Sequence, residues 1–370
     1  MKNLELGKSS RVSLIIFAMF ILSLVSKESF ACTGILTKTQ DNNYIFARTM
    51  EFGTDLMTFD LIAVPRNYKF TGQAPSGKPG MAWETKYGYT GFNPFGALLV
   101  ADGLNEKGLF CGVFYLPGYT KYEDVSEKDY PNTISCLDLP SWILGTCATV
   151  SEVKEKLPKI HVCSFEVPGE ISPPLRYMLA DATGDAIIVE YAEGKLNIYN
   201  NEVNAITNSP NYPWHLTNLK NYIGLKPLNN PEIKINGTEI IQFGQGSGAI
   251  GLPGDFTPPS RFVRAVFFAN TAFPGKDVDE GIGVAFHILN QFDIPRGSIR
   301  GNESGKVVSD TTQWTSASDL TNRRYFYHTY NDRSVRVIDL KKINLNSPKI
   351  MSIKDIQSPG KIKDVSHELK

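Results

Sequence analysis

Cys32 ends the run Ser29-Phe30-Ala31-Cys32 and opens Cys32-Thr33-Gly34. A cut between Ala31 and Cys32 would leave one residue carrying both a thiol and a free α-amino group. A deprotonated thiol is a strong nucleophile, and an α-amine, with a reference pKa of about 8, can take its proton near neutral pH. Nucleophile and base on a single residue suit attack on a carbonyl. Three readings of Cys32 stand open on residue grounds: nucleophile, lipid-attachment point of a bacterial lipoprotein, and plain structural cysteine. Lipoprotein processing prefers Leu at −3 and a small residue at −2, where this chain has Ser29 and Phe30, and a lipid would block both reactive groups.

The residues before Cys32 have the layout of a cleavable leader. Lys2, Lys8 and Arg11 precede a 14-residue run of apolar residues and serines from Val12 to Val25, and Ser29 and Ala31 are the small −3 and −1 residues of a cleavage site. The run is short of the roughly 20 residues that cross a bilayer. The sequence therefore predicts a signal peptide over 1–31, a single domain over 32–350, a polar tail over 351–370, and a periplasmic or secreted product. Lys+Arg and Asp+Glu both count 38 in the whole chain; the leader holds four bases and two acids, so its loss leaves a net charge of −2. That balance gives no footprint for nucleic acid.

The elements around Cys32 follow from pattern. Residues 33–38 and 44–50 read as strands with the turn signal Asp41-Asn42-Asn43 between them. Folding on that turn pairs numbers summing to 83–85, which sets Cys32 opposite 51–53 and beside Arg48, Met50, Glu51 and Phe52. Residues 66–96 read as a long loop with at most short strands. A second hairpin is expected from 97–102 and 109–115. Helical periodicity over 137–157 falls in two pieces, the second with Thr149 and Glu152 as a capping box. A strand meander follows over 177–207, then helices at 214–222, at 260–269 with Ser260 as cap, and at 280–292. Strands at 311–317, 325–330 and 335–340 close the pattern. Strands in blocks with helices grouped between them argue for an α+β fold of antiparallel sheets covered by helices.

Other motifs carry less. Gly246-Ser247-Gly248-Ala249-Ile250-Gly251 matches GxGxxG, but Pro253 and Gly254 stand where the phosphate-binding helix should begin. Histidines 161, 215, 287, 328 and 367 are scattered, with no zinc spacing, and no metal or cofactor is expected. Besides Cys32 there are cysteines 111, 136, 147 and 163, with three possible pairings in an oxidising compartment; Cys111 and Cys147 read as buried thiols. Asn236-Gly237-Thr238 and Asn302-Glu303-Ser304 are glycosylation sequons that matter only in a eukaryotic secretory pathway.

Five segments in order, Cys32-Thr33-Gly34, Arg48-Thr49-Met50-Glu51, Asp102 to Leu109 (DGLNEKGL), Thr207-Asn208-Ser209-Pro210 and Ser260-Arg261-Phe262-Val263-Arg264, resemble the choloylglycine hydrolases, the penicillin V acylase and bile salt hydrolase family of N-terminal-nucleophile hydrolases. The leader is similar to the exported Gram-negative branch. The resemblance implies a four-layer αββα sandwich and hydrolysis of a linear amide, with penicillin V, conjugated bile salts or N-acyl-homoserine lactones as candidate substrates. It implies Cys32 as nucleophile, Arg48 as the cation that stabilises its thiolate, Asn208 as oxyanion donor and Arg261 as second arginine. Glu51 stands where family members usually have Asp to hold the terminal ammonium. A second oxyanion donor would be a backbone N–H near Phe114 or Tyr115; Gram-positive bile salt hydrolases tend to have Asn nearby and penicillin V acylases Tyr. Met50, Phe52, Phe114 and Tyr115 would form an apolar wall for the acyl group. A homotetramer is the assembly the resemblance suggests. The competing functions are an envelope lipoprotein anchored through Cys32 and a ceramidase-like amidase of the same superfamily.

Overall fold

The computed structural model describes residues 31–53, 56–94, 99–166, 172–303, 305–354 and 356–369; residues 1–30 of the leader expected over 1–31, and the start of the strand expected from residue 97, lie outside them. The chain opens with the predicted hairpin: β1 (Cys32–Lys38) runs antiparallel to β2 (Tyr44–Phe52). The register is corrected slightly, since Cys32 pairs with Met50 and Lys38 with Tyr44, a sum of 82. The turn is the reason. Thr39 N–H bonds to Asn43 O at 2.9 Å and Asn42 N–H to Thr39 O at 3.1 Å, with Asn42 at φ 65°. The loop is thus centred on Asp41, and asparagine tolerates the left-handed position better than most residues.

Two antiparallel sheets face each other. The first runs, in spatial order, Ala205–Ile206, β1, β2, Lys306–Asp319, Arg324–Thr329 and Arg336–Asp339, with Ile299–Glu303 paired to Lys306–Asp319. The second runs Lys195–Asn200, Ala186–Ala192, Leu175–Ala180, Phe110–Tyr115, Asp102–Asn105, Tyr89–Pro94, Phe59–Val64 and Met351–Ile353. Helices Pro258–Thr271 and Val278–Leu289 pack on the outer face of the first sheet, and Leu139–Thr146 and Val150–Lys156 on that of the second. These are the four layers of an αββα sandwich. Between the sheets, Trp314 packs on Phe59 and Phe92 with ring centroids 4.6 Å from each.

Several expectations need correction. Tyr89–Pro94 and Phe59–Val64 are fully buried strands. Covered on both faces, they show no alternation, and Gly91 breaks the first because a Cβ there would lie 2.2 Å from Asp102 O. The strand expected at 97–102 is Asp102–Asn105. The helix expected from a Ser260 cap starts two residues earlier, with prolines in its first turn, where missing N–H groups cost nothing; the Ser260 hydroxyl instead donates to Asp255. The sheet extends past residue 350, because Met351–Ile353 pairs with Phe59–Val64 and Ile356 is buried. The capping box is present, Glu152 N–H donating to Thr149 Oγ1 at 3.1 Å. All five cysteines are free and buried. Cys136 N–H bonds to Cys163 O at 2.9 Å, yet both thiols are free.

Candidate active site

Side chains two apart on a strand share a face. Cys32 and Met50 are a cross-strand pair, and Arg48 lies two residues before Met50, so all three point between the sheets. Arg48 Nη2 donates to Cys32 Sγ at 3.1 Å, and Met50 Sδ is 3.1 Å from Nη2 and 3.8 Å from Sγ. The guanidinium is fixed from every side. Nη1 donates to Val113 O at 2.8 Å and Ala101 O at 3.3 Å, Nε donates to Thr49 O at 3.3 Å and faces Asp102 at 3.8 Å, and the Phe114 ring lies 4.5 Å away. Asp102 is itself buried, accepting from Ser316 Oγ at 2.6 Å and Tyr325 OH at 3.0 Å. Gly34 permits the sheets to approach here: a Cβ on it would be 2.8–2.9 Å from Ile206, Phe46 and Phe114.

Asn208 and Arg261 arrive from elsewhere in the chain and meet the Cys32 backbone. Asn208 Oδ1 accepts from Cys32 N–H at 2.7 Å and Arg261 Nη2 at 2.8 Å, while its Nδ2 donates to Tyr115 O at 3.0 Å. Two donors on one atom and an acceptor on the other fix the orientation of the amide. Arg261 Nη1 also donates to Cys32 O at 2.6 Å and to Thr33 Oγ1 at 2.9 Å. Leu116 N–H bonds to Pro174 O, so by strand alternation Phe114 turns its backbone toward that neighbour. The Tyr115 backbone turns toward Asn208. Of the two candidate N–H groups, Tyr115's is the one aimed at the site.

Burial raises the Cys32 thiol above its ordinary pKa even though Arg48 pulls it down. With Ala31 still attached the sulfur is held as the thiol. Glu51 lies on the opposite face of β2 from Arg48. A bulge at Gln313 in the neighbouring strand brings Thr312 opposite it, and Thr312 Oγ1 donates to Glu51 Oε1 at 3.0 Å. Oε2 is buried with no hydrogen-bond partner among the described residues. Burial, offset in part by Arg261, pushes the Glu51 carboxyl up to about 8. Between the unfolded value of 4.5 and about 8 the folded chain holds the extra proton, so this contribution is complete below about 4.5 and lost as pH rises toward 8. A chain kept uncleaved at Ala31 is therefore expected to lose thermal stability from pH 5 to pH 8, and Glu51→Gln to flatten that decline. Thermal melts across this range check it; equal slopes for the two proteins would refute the assignment.

The five residues expected to do chemistry, Cys32, Arg48, Glu51, Asn208 and Arg261, thus converge at one end of β1. The expected apolar wall is corrected. Phe114 is completely buried beneath Arg48 and supports it, and Met50 and Phe52 are also buried; Tyr115 is the member that keeps partial exposure. Sequence reasoning missed Thr312, the role of Asp102 beside Arg48, and the buried residues Arg176, Glu190 and His215 behind Asn208. The turn at Ala182–Asp185 was a usable signal for one pair, since it sets Arg176 opposite Glu190.

Residues 32–353 match the family model described as linear amide C–N hydrolases, choloylglycine hydrolase family. The chain is 35% identical over 330 residues to a bile salt hydrolase/transferase of Clostridium perfringens, covering 87% of this chain and 96% of that one. A solved variant of conjugated bile acid hydrolase from Clostridium perfringens superposes with a TM-score of 0.77 at 32% identity, covering 90% of this chain and 100% of that one. Penicillin V acylase from Agrobacterium tumefaciens gives a TM-score of 0.70 at 26% identity, covering 87% and 91%.

Proposed function

Because the chain belongs to the choloylglycine hydrolase family of linear amide C–N hydrolases, we propose that it cleaves the amide of a small N-acyl substrate with Cys32 as an N-terminal nucleophile. The observation that carries this reading is Arg48 Nη2 at 3.1 Å from Cys32 Sγ: a buried cation bonded to a sulfur favours its thiolate. Removal of residues 1–31 would free the α-amino group. That amine takes the thiol proton, Sγ attacks the carbonyl carbon, and the oxyanion receives the second N–H of Asn208 Nδ2 and the Tyr115 backbone N–H. The ammonium then protonates the departing amine, and water, with the amine again as base, releases the acyl group from the thioester.

Glu51 fits a partner for the ammonium. Its Oε2 lacks a hydrogen-bond partner among the described residues while Cys32 N is still an amide, and a freed ammonium would supply a donor and a charge. Tyr115, the partly exposed residue whose backbone meets Asn208, favours an aromatic acyl group, so penicillin V is the first substrate to test, ahead of conjugated bile salts and N-acyl-homoserine lactones. The leader directs export to the periplasm or beyond. Exposed Ile233, Ile235, Ile240 and Phe243 on and beside the hairpin Ile233–Ile235/Thr238–Ile240 support a homo-oligomer, a tetramer by resemblance.

Mass spectrometry on protein purified from its own host tests the reading. Denatured, it is expected to show a chain starting at unmodified Cys32; native, a tetramer that hydrolyses penicillin V. A diacylglyceryl group on Cys32 would instead establish the lipoprotein reading, and any other N-terminus would sink the mechanism.

A further inference from the structure

Arg176 is completely buried on Leu175–Ala180 and plays no part in the chemistry above. It lies in a row on the inner face of the second sheet: Phe114, Arg176 and Glu190 are register partners across three neighbouring strands. Phe114 supports Arg48. Arg176 supports the turn that carries Asn208.

All five N–H groups of its guanidinium are used. Nε donates to Thr207 O at 3.2 Å, Nη2 to Thr207 O and Asn208 O at 2.6 Å each, and Nη1 to Pro210 O at 3.3 Å and Glu190 Oε1 at 2.7 Å. Three carbonyls of one turn thus converge on a single cation. Glu190 Oε1 balances the charge and also accepts from Tyr212 N–H at 3.0 Å, which ties the following helix to the same point. His215 completes the cradle, its Nε2 lying 2.8 Å from Asn208 O. Burial, followed by the nearby Arg176 charge, lowers its pKa to about 3, so the ring is neutral and Nε2–H is the donor. Backbone and side chain of Asn208 are therefore held separately. The carbonyl is bound by Arg176 and His215, the side chain by Cys32, Arg261 and Tyr115.

The geometry points to Arg176, neutralised by Glu190, as a positioning residue that fixes the Asn208 amide at the height where an oxyanion forms. Lysine could not replace it, since an ammonium has three donors radiating from one atom and cannot span three carbonyls and a carboxylate. The inference rests on the reading of Cys32 as nucleophile and Asn208 as oxyanion donor. A donor that acts only in the transition state affects kcat and leaves substrate binding and thiol reactivity alone.

Arg176→Lys in the chain that starts at Cys32 is expected to lower kcat about 100-fold, the scale of a misplaced oxyanion donor. KM should stay within about threefold, and the rate of Cys32 alkylation by iodoacetamide should fall far less than kcat, because Arg48 stays on the sulfur and only the Asn208 bond to Cys32 N is disturbed. Glu190→Gln keeps an acceptor oxygen and the side-chain volume, and is the second variant should Arg176→Lys not fold; its kcat is expected to fall about tenfold with alkylation again falling far less. A parallel fall of kcat and alkylation in either variant would mean general loss of structure and overturn the inference. So would a folded Arg176→Lys with kcat within twofold of the parent, or an unfolded Arg176→Lys accompanied by an unaffected Glu190→Gln. Failure of the underlying reading is separable, since it appears as persistent activity in Cys32→Ala.

Discussion

Cys32→Ala is expected to abolish amide hydrolysis, with kcat/KM down by about four orders of magnitude or more, in a protein that still folds. The size follows from what the thiol does: without it no acyl-enzyme forms, and the remaining oxyanion donors can only assist direct attack by water. The small structural cost follows from what the thiol touches. Cys32 Sγ accepts one side-chain bond, from Arg48 Nη2, which keeps Met50 Sδ at 3.1 Å when the thiol is gone. The Cys32 backbone keeps its bonds to Asn208 and Arg261. Loss of one buried sulfur, its bond from Arg48 and its weak S–H bond to Met50 Sδ costs about 1–2 kcal/mol. Cys32→Ser retains a hydroxyl at nearly the same place, but that group ionises far above neutral pH and is expected to be almost as inactive. Circular dichroism with turnover of penicillin V, or of whichever amide the wild type hydrolyses, checks both, and a Cys32→Ala protein that turns over at the parental rate would remove Cys32 from the mechanism.

The neighbourhood of Cys32 was legible because it is local. A turn signal at Asp41-Asn42-Asn43 between two alternating segments is enough to bring Arg48 and Glu51 beside Cys32, and the one- to three-residue error in register came from the left-handed Asn42. Asn208 and Arg261 were not legible from pattern. They lie 176 and 229 residues from Cys32 in hydrogen bonds to it, and the family resemblance named them. Strands buried on both faces, such as Phe59–Val64, lack the alternation that identifies a half-buried strand. Arg176 was hidden for a different reason. A charged residue in a strand reads as solvent-facing, and only the fold shows three carbonyls and a carboxylate waiting for it inside. Glu51 was placed near Cys32, but its partner was not legible: the bulge at Gln313, which sets Thr312 against it, has no sequence signature.

Arg48→Met is expected to fail in two separable ways. The first is chemical. Arg48 lowers the Cys32 thiol pKa against burial, so without it the thiolate fraction near neutral pH falls tenfold for each unit the pKa rises, and kcat/KM should drop by about two to three orders of magnitude. The second is structural. Asp102, buried with Arg48 3.8 Å away, would be left with Ser316, Tyr325 and Trp314 as donors and no cation beside it. Stranding a buried charge costs about 3–5 kcal/mol, which should appear as a lower urea midpoint with an unchanged slope. Adding Asp102→Asn removes that charge while keeping an oxygen for the hydroxyl donors, so the double variant is expected to regain much of the stability lost by Arg48→Met. Its thiol should stay slow toward iodoacetamide at neutral pH, with an alkylation profile displaced to higher pH, and its hydrolysis should stay low. Recovery of hydrolysis along with stability would show that Arg48 serves the fold alone, because stability is the one property that Asp102→Asn can restore. Recovery of stability without hydrolysis assigns the guanidinium to the sulfur, and the carboxylate behind it to holding that guanidinium in place.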